Sequence, residues 1–346
     1  MTRVSIVLAA CVLGCGARSG LEAPRESTDA GALIDTDVLR DAGAHDAAPL
    51  PELDAGREEC GELGHWVEVS SPTTVDLVAV HVVASDDAWT VGHGGTMLHW
   101  DGAAWSRIES PTTENLSGVW FSDAEYGWIA SRYGALRWDG ARWTIVARGL
   151  VGVSEALNIV AGRARDDVWF GGGSVSPAVG LLFQWGGTAI TRHASPTEMQ
   201  VTSLRASEDG SALWALSALG RMARRETGGA WERIEEPRGE VSTALWSPTV
   251  REAWAAASHG HVHHYLDGHW ASERIAGDDA SFYAAWGSSA RDVWVMGAHG
   301  MTAHYDGRAW EVMPAPTDAA IFALDGTCAT DGWAVGAGGT ILRLAR

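Results

Sequence analysis

The stretch that decides the fold is Asp87–Trp105, which reads Asp-Ala-Trp-Thr-Val-Gly-His-Gly-Gly-Thr-Met-Leu-His-Trp-Asp-Gly-Ala-Ala-Trp. It recurs with changes along the rest of the chain. Its first tryptophan, the anchor, begins the series Trp89, Trp128, Trp169, Trp214, Trp254, Trp294 and Trp333. Successive anchors lie 39, 41, 45, 40, 40 and 39 residues apart. Such a period is typical of four-stranded propeller blades, so the sequence predicts seven of them.

Each copy divides into four predicted strands, a to d. Strand a is represented by Leu116–Ser122, strand b with its anchor by Gly127–Ser131, strand c by Thr96–Trp100 and strand d by Trp105–Ile108. Asp-Gly or Gly-Gly pairs separate strands c and d, at 101–102, 139–140, 186–187, 228–229, 267–268 and 306–307. These residues tolerate the positive φ that both central positions of a type I′ turn require, so we predict two-residue hairpin turns.

All 19 tryptophans fall at four positions of the repeat. Seven are anchors, six begin strand d, three end strand c and three lie in strand a. Tryptophan can stack on sugars, but periodic tryptophan is more typical of packing between neighbouring sheets. We therefore predict that most of these rings are core.

The two ends of the repeat region complement each other. The seventh copy stops after strand c, at Leu344, whereas His65–Val69 resembles an isolated strand d. Trp66 precedes Trp89 by 23 residues, the same interval as from Trp105 to Trp128. The sequence thus predicts an all-β, seven-bladed β-propeller over residues 60–346, closed by an N-terminal strand that completes the last blade and removes an exposed sheet edge.

The last copy, Gly332–Arg343, reads Gly-Trp-Ala-Val-Gly-Ala-Gly-Gly-Thr-Ile-Leu-Arg. It resembles the repeat of the photosystem II stability/assembly factor family and of related BNR/Asp-box propellers. Predicted bacterial lipoproteins with Trp-Asp-Gly repeats are also similar. The resemblance covers residues 64–346 and implies the propeller fold. By analogy it also implies one alternative function, as an assembly or maturation factor for an envelope complex.

Residues 1–15 read as a lipoprotein signal peptide, because Arg3 precedes an apolar run, Val4–Leu13, that is too short to span a bilayer. Val12-Leu13-Gly14-Cys15 resembles a bacterial lipobox, so we expect lipidation at Cys15. Lipidation at Cys11 and an ordinary signal peptide are the alternatives. The absence of Asp after Cys15 resembles lipoproteins sorted to the outer membrane of Gram-negative bacteria. We expect an exported chain, anchored there or secreted.

Residues 16–59 are predicted to be a disordered acidic linker rich in Asp, Ala and Gly. They contain eleven acids against four arginines and no aromatic residue, so they cannot bury a core. Residues 60–346 contain 33 acids against 20 arginines. This excess of negative charge disfavours nucleic acid and anionic lipid as partners. We expect contact with the membrane through the lipid anchor only.

Catalytic signatures are missing from the sequence. No Gly-x-Ser-x-Gly, Walker A, Cys-x-x-Cys or His-Glu-x-x-His motif occurs. We therefore predict no catalytic residue, cofactor or metal site. A glycan-active enzyme stays an alternative, since the separation of two carboxylates cannot be seen in a sequence. The cluster His259–His264 leaves metal binding as a further alternative to solvated or packed histidines.

Cys60 and Cys328 are predicted to form a disulfide. Cys328 lies in the a–b turn of blade 7, and Cys60 precedes the strand d that completes the same blade, so both fall on one face. Export would place them in an oxidising compartment. The alternative is two free thiols.

The irregular spacing of the third copy predicts a binding site. From strand d to the next anchor, Trp143 to Trp169 spans 26 residues where other copies span 23 or 24, and Trp169 to Ile190 spans 21 where others span 15–17. The additions fall in a d–a loop around Leu150–Ala156 and a b–c loop, Ser174–Gly180, which share one face. Repeat proteins often bind through such insertions. The predicted site for a protein or glycan partner comprises Leu150, Val151, Val153, Val175, Val179, Arg132 and Tyr133. The alternative is that the two loops pack on each other.

Overall fold

The structure is a computed structural model that describes residues 64–345, except residues 133, 149, 153, 154, 176, 177 and 238. The predicted signal peptide (1–15), the predicted linker (16–59) and residues 60–63 of the predicted propeller lie outside the described residues.

Seven four-stranded antiparallel sheets make up the described chain. A single strand, β1 (His65–Glu68), precedes blade 1 in the chain. Blade 1 contains β2 (Leu77–Ala84), β3 (Asp87–Gly92), β4 (Met97–Trp100) and β5 (Trp105–Arg107). Blade 2 contains β6 (Leu116–Asp123), β7 (Tyr126–Ser131), β8 (Gly134–Trp138) and β9 (Trp143–Arg148). Blade 3 contains β10 (Ala156–Ala164), β11 (Asp167–Val175), β12 (Ala178–Trp185) and β13 (Ile190–His193).

The remaining blades follow the same order. Blade 4 contains β14 (Val201–Ala206), β15 (Ala212–Ser217), β16 (Met222–Glu226) and β17 (Trp231–Ile234). Blade 5 contains β18 (Ser242–Thr249), β19 (Glu252–Ala257), β20 (His261–Leu266) and β21 (His269–Arg274). Blade 6 contains β22 (Phe282–Ser289), β23 (Asp292–Gly297), β24 (Met301–Tyr305) and β25 (Trp310–Pro314). Blade 7 contains β26 (Ile321–Cys328), β27 (Asp331–Gly336) and β28 (Ile341–Ala345). Short 3-10 turns occupy His93–Gly95, Ala298–Gly300 and Ala337–Gly339.

Strand β1 completes the ring. It pairs antiparallel with β28, with Trp66 opposite Leu344, and the sheet order is β1-β28-β27-β26. The predicted closure and the predicted seven-bladed fold are therefore confirmed. No helix in the described part of the chain is long and apolar enough to cross a membrane.

The a strands are the innermost strands. Each one, from β2 through β26, contacts the a strand of the next blade, and β26 contacts β2. A strands therefore encircle a central channel, while the d strands lie at the outer rim.

The tryptophans pack between blades, as predicted, and none of the 19 is exposed. In five blades the anchor meets the strand-d tryptophan of the next blade edge to face. The ring centroids are 5.7 Å apart for Trp89–Trp143, 5.6 Å for Trp169–Trp231, 5.7 Å for Trp254–Trp310, 5.7 Å for Trp294–Trp66 and 4.9 Å for Trp333–Trp105. Such pairs contribute about 0.5–1.5 kcal/mol beyond the apolar area that they bury.

The connections between strands c and d differ from the predicted two-residue hairpin turns in all of blades 1–6 except blade 5. Only Asp267-Gly268 forms a two-residue turn with two positive φ angles, 49° and 93°. In blade 1, Trp100 pairs with Trp105, so the connection has four residues. There the Oδ1 atom of Asp101 accepts hydrogen bonds from the backbone N–H groups of Ala103 (3.0 Å) and Ala104 (2.9 Å). Asp is used here for this local hydrogen bonding, which competes with the tighter turn.

Candidate functional site at the channel mouth

One face of the ring carries the d–a and b–c connections, and we call it the loop face. Its loops are tied together. The N–H of Gly94, in a b–c turn, donates to Asn115 Oδ1 in the next d–a loop over 3.0 Å. Gly338 N–H donates in the same way to Asp76 Oδ1 over 2.8 Å. Because each a strand begins at the end of a d–a loop, its first residues lie at the loop-face end of the channel.

All seven a strands have a bulge near that end. The pairing with strand b shifts register and skips one residue in each blade. A bulge leaves the extra residue unpaired and re-aims its side chain. The skipped residues form what we call the bulge ring: Val78, Ser117, Asn158, Thr202, Thr243, Tyr283 and Phe322. None of them is buried.

Hydroxyl groups of the bulge ring stabilise the backbone. Ser117 Oγ donates to the Leu157 carbonyl of the next blade over 2.8 Å. Thr243 Oγ1 donates to the Phe282 carbonyl, also in the next blade, over 2.5 Å. A short hydroxyl side chain is therefore sufficient for the fold at this position.

Blade 3 has the polar Asn158 at this position, but three consecutive blades have a side chain with an apolar or aromatic surface there. Blades 6, 7 and 1 place Tyr283, Phe322 and Val78 in the bulge ring, and all three side chains are half-buried. The rings of Tyr283 and Phe322 lie 6.4 Å apart between centroids. We call these three residues the apolar arc. Blades 2, 4 and 5 form the same four-stranded sheet with a hydroxyl residue at this position. The propeller fold therefore does not require the apolar arc.

A charged cluster crosses the channel three residues further along the a strands. Arg205 of blade 4 donates from Nη2 to the Leu324 carbonyl of blade 7 over 2.8 Å, and its Nη1 lies 3.5 Å from Asp325 Oδ1. Asp325 Oδ2 lies 3.1 Å from His81 Nδ1 of blade 1 and accepts the Val82 N–H over 2.8 Å. We call Arg205, Asp325 and His81 the channel bridge, because blades 4 and 7 are not neighbours in the ring.

The groups around Asp325 stabilise its charged carboxylate. Burial alone would raise the pKa of Asp325, but the hydrogen bond and charge of His81, the charge of Arg205 and the Val82 N–H lower it below the ordinary 3.8. The Nε2 atom of His81 lies 3.1 Å from the Phe121 carbonyl. Both ring nitrogens of His81 thus face oxygen atoms, the Phe121 carbonyl and the Asp325 carboxylate. The side chains of the bridge are therefore paired with one another.

At the same depth, blades 2, 5 and 6 carry a tryptophan that packs on a glycine of the next blade. A Cβ atom added to Gly162 would lie 2.7 Å from the Trp120 ring, and one added to Gly287 would lie 2.9 Å from the Trp246 ring. At Gly326 the distance to the Trp286 ring would be 2.6 Å. The glycines therefore permit close contact between blades.

Three histidines on strand c, one each in blades 1, 5 and 6, pair with acids on strand b. His99 Nε2 lies 2.9 Å from Asp87, His264 Nε2 lies 2.8 Å from Glu252 and His304 Nε2 lies 2.6 Å from Asp292. Each ring also packs on the anchor of its own blade, at centroid distances of 4.3, 3.8 and 4.2 Å. In blade 7 Arg343 takes this position, over Trp333. This is a structural position shared by histidine and arginine.

The cluster His259–His264 is held by local partners. His263 is buried, with Nε2 3.0 Å from the Glu240 carbonyl and Nδ1 2.7 Å from Ser272 Oγ. Burial lowers the pKa of His263. His259 Nδ1 lies 2.6 Å from Glu240 Oε2. Among the described residues no group of three His, Cys, Asp or Glu side chains is placed to hold a metal ion.

The structure differs from the predicted geometry at the rim of blade 3. Strands β11 and β12 continue through most of the predicted loop Ser174–Gly180, with Ser174 paired to Val179 and Val175 to Ala178. Val151 is only 8% exposed, and Leu150 and Val179 are half-buried against the core of blades 2 and 3. These three side chains therefore contact the core of blades 2 and 3 instead of forming an exposed apolar cluster.

The other predicted site residues are placed only in part. Arg132 is exposed, and its backbone N–H donates to the Asn115 carbonyl over 3.1 Å. Tyr133, Val153 and the side chain of Val175 lie outside the described residues. A binding role for this rim stays a prediction.

The predicted modification sites lie at or beyond the limit of the described chain. Cys328, at the end of β26, is disulfide-bonded. Cys60, its predicted partner, and Cys15, the predicted lipidation site, lie outside the described residues. Pairing and lipidation therefore both stay predictions.

Sequence reasoning missed the apolar arc and the channel bridge. Aligning the seven a strands by their anchors would have shown both as departures from the repeat. At the bulge position Ser or Thr gives way to Tyr283 and Phe322, and at the bridge position Trp gives way to Arg205 and Asp325.

Several solved structures share this fold. YCF48 bound to D1 peptide matches with a TM-score of 0.68 and 16% identity, over 82% of this chain and 97% of that chain. Virginiamycin B lyase from Staphylococcus aureus matches with 0.68 and 13% over 81% and 99%, and the WD40 propeller domain of Doa1 with 0.65 and 11% over 82% and 97%. At these identities the likeness shows the fold alone. No protein-family model and no curated protein matches the sequence. The resemblance to photosystem II assembly-factor propellers is thus confirmed as a resemblance of fold.

Proposed function

We propose that this chain is an exported, lipid-anchored propeller that binds a segment of a protein partner at the cell envelope. The observation that carries the proposal is the apolar arc, where Tyr283, Phe322 and Val78 replace the hydroxyl residues that blades 2, 4 and 5 have at the channel mouth. A function rather than the fold accounts for such a replacement, because the hydroxyl side chain satisfies the structure elsewhere.

Two observations favour a protein over a glycan. None of the tryptophans is exposed, so the described surface offers no exposed indole ring on which a sugar could stack. The fold also accepts peptides in another protein, since YCF48 has been solved with a D1 peptide bound. A role in assembling an envelope complex would be one case of this proposal, decided by the identity of the partner.

Binding is better supported than catalysis. Arg205, Asp325 and His81 are occupied with one another and with backbone groups. A general acid or base must reach a substrate, which these paired groups do not. Incubation of the protein with glycan and ester substrates is expected to give no turnover, and turnover lost on a change in the bridge would favour an enzyme.

Anchoring at Cys15 would hold the propeller at the membrane through acyl chains, each buried methylene of which contributes about 0.8 kcal/mol. Mass spectrometry of the mature N-terminus should find an acylated Cys15. An unmodified start at another residue would contradict the anchor.

Site-directed photocrosslinking tests the binding site. A benzoyl-phenylalanine replacing Phe322 should crosslink one protein in cells, and the same residue replacing Val312 should not. Val312 is the matched control because it is apolar, 46% exposed and on the outer strand β25. The captured protein, once purified, should bind the wild type and lose at least about tenfold in affinity for Phe322→Ser. Equal capture from both positions, or equal affinity for Phe322→Ser, would reject the site.

A further inference from the structure

We infer that the bound segment presents an aromatic or branched aliphatic side chain flanked by arginine or lysine. The inference rests on the proposed function and adds the chemistry of the partner. It comes from the charge around the apolar arc and from the channel bridge beneath it.

The loops beside the arc are acidic. The d–a loops that lead into blades 6, 7 and 1 contain Asp278, Asp279, Asp318 and Asp76, and they contain no arginine. Asp278, Asp279 and Asp318 are exposed. The chain has no lysine at all. A partner residue entering the arc therefore passes a rim of carboxylates, beside which Arg274 lies, paired with Asp278.

Two of these carboxylates are already engaged. Asp278 pairs with Arg274 at 2.6 Å, and Asp76 accepts the Gly338 N–H. Asp279 and Asp318 form no salt bridge within the described chain. They are the two acids whose charge is left for a partner, and an opposite charge there gains attraction without breaking an existing pair.

The floor of the site limits what can enter. The channel bridge lies three residues beyond the bulge ring, roughly 10 Å deeper at the rise of a β-strand. Arg205 spans the channel at that depth. A side chain that enters the channel mouth meets the bridge at that depth, so the arc suits a side chain from a segment that lies across the loop face.

Charge also argues against two other occupants. The chain's own linker, residues 16–59, carries eleven acids against four arginines. A second copy of the chain presents the same acidic surface, since the formal net charge is −19. Both would bring like charges to the carboxylate rim, which is unfavourable. A basic segment of a different protein is complementary in charge.

Labelled hexapeptides test the inference by fluorescence anisotropy with the full chain purified in detergent. The probe is Gly-Arg-Leu-Phe-Arg-Gly, compared with Gly-Asp-Leu-Phe-Asp-Gly and Gly-Arg-Ser-Ser-Arg-Gly. We expect the first peptide to bind at least about tenfold more tightly than either comparison peptide. Raising the salt from about 50 to 500 mM should weaken its binding, because exposed charges are screened.

Variants assign the two contributions. Phe322→Ser, which installs the residue of blade 2, should lower the affinity at least about tenfold at both salt concentrations. Asp279→Asn with Asp318→Asn should lower it severalfold at low salt and little at high salt. Val312→Thr and Glu311→Gln, on the outer strand β25, are the matched controls and should change neither.

The outcomes separate this inference from the proposed function. Equal binding of the Arg-flanked and Asp-flanked peptides, still dependent on Phe322, would overturn the partner chemistry and leave the binding site standing. No binding of the Arg-flanked peptide at millimolar concentration would also overturn the inference, while crosslinking at position 322 decides the site on its own. If neither Phe322→Ser nor the double Asp variant changes the affinity for the Arg-flanked peptide, both the inference and the proposed function are overturned.

Discussion

Arg205 of blade 4 and Leu324 of blade 7 are joined by a 2.8 Å hydrogen bond that crosses the central channel. The guanidinium group also lies 3.5 Å from Asp325 Oδ1, and Asp325 in turn contacts His81 of blade 1. Three blades that are distant in sequence are therefore coupled inside the ring. The bridge spans the channel beneath the channel mouth.

Removing the carboxylate of the bridge should destabilise the fold. We expect Asp325→Ala to lower the free energy of unfolding by about 3 kcal/mol, since it leaves Arg205 and His81 without their buried partner. Urea unfolding followed by tryptophan fluorescence measures this. Asp278→Ala, which breaks the exposed 2.6 Å pair with Arg274, is the control and should have little effect. An equally small effect of Asp325→Ala would show that the bridge is not stabilising.

Buried His263 should make the stability depend on pH. Burial lowers its pKa in the folded state below the ordinary 6.5, so the unfolded chain binds more protons in the window between the two values. Its contribution is complete above pH 6.5 and is lost as the pH falls below that value. Melting temperatures across this range should fall less steeply toward acid for His263→Gln than for the wild type. Identical slopes would assign the pH dependence to other groups.

The contact between Trp120 and Gly162 should tolerate no added methyl group. A Cβ at position 162 would lie 2.7 Å from the indole ring, so we expect Gly162→Ala to cost about 1–3 kcal/mol. Gly186→Ala is the control, because a Cβ at that exposed turn meets no atom within 4 Å. Thermal unfolding of both variants compares them. Similar melting temperatures would mean that the blades shift apart at little cost.

The disulfide at Cys328 is expected to pair with Cys60. Peptide mapping of the unreduced protein should recover these two cysteines in one crosslinked fragment. In chain-entropy models a bond that encloses nearly the whole domain contributes about 4–5 kcal/mol, so Cys60→Ser should lower the stability substantially. A fragment that joins Cys328 to another cysteine would refute the pairing.

The sequence was sufficient for the architecture because the features that set it are periodic. Each anchor tryptophan marks strand b of one blade, and the missing strand d at one end matches Trp66 at the other. Turn types were less predictable. The carboxylate of Asp101 can bind backbone N–H groups within its own turn, and that local competition does not show in a count of Asp-Gly pairs.

The candidate site lay beyond such reasoning for two physical reasons. A bulge that skips Phe322 interrupts the alternation of a strand, so its side-chain direction does not follow from a period of two. The bond between Arg205 and Leu324 joins residues 119 positions apart, and no local pattern encodes it. At the rim of blade 3 the extra residues were detected, but only tertiary packing shows that Val151 is covered.

The central claim is that the apolar arc binds a protein segment. The most direct measurement uses the partner that crosslinking identifies, purified without the crosslink, and determines its affinity for the triple variant Val78→Thr, Tyr283→Thr and Phe322→Ser. This variant gives every arc position a hydroxyl residue of the kind found in blades 2, 4 and 5. The account predicts that binding falls at least about a hundredfold while the melting temperature stays close to that of the wild type. Undiminished binding by the folded triple variant would contradict it.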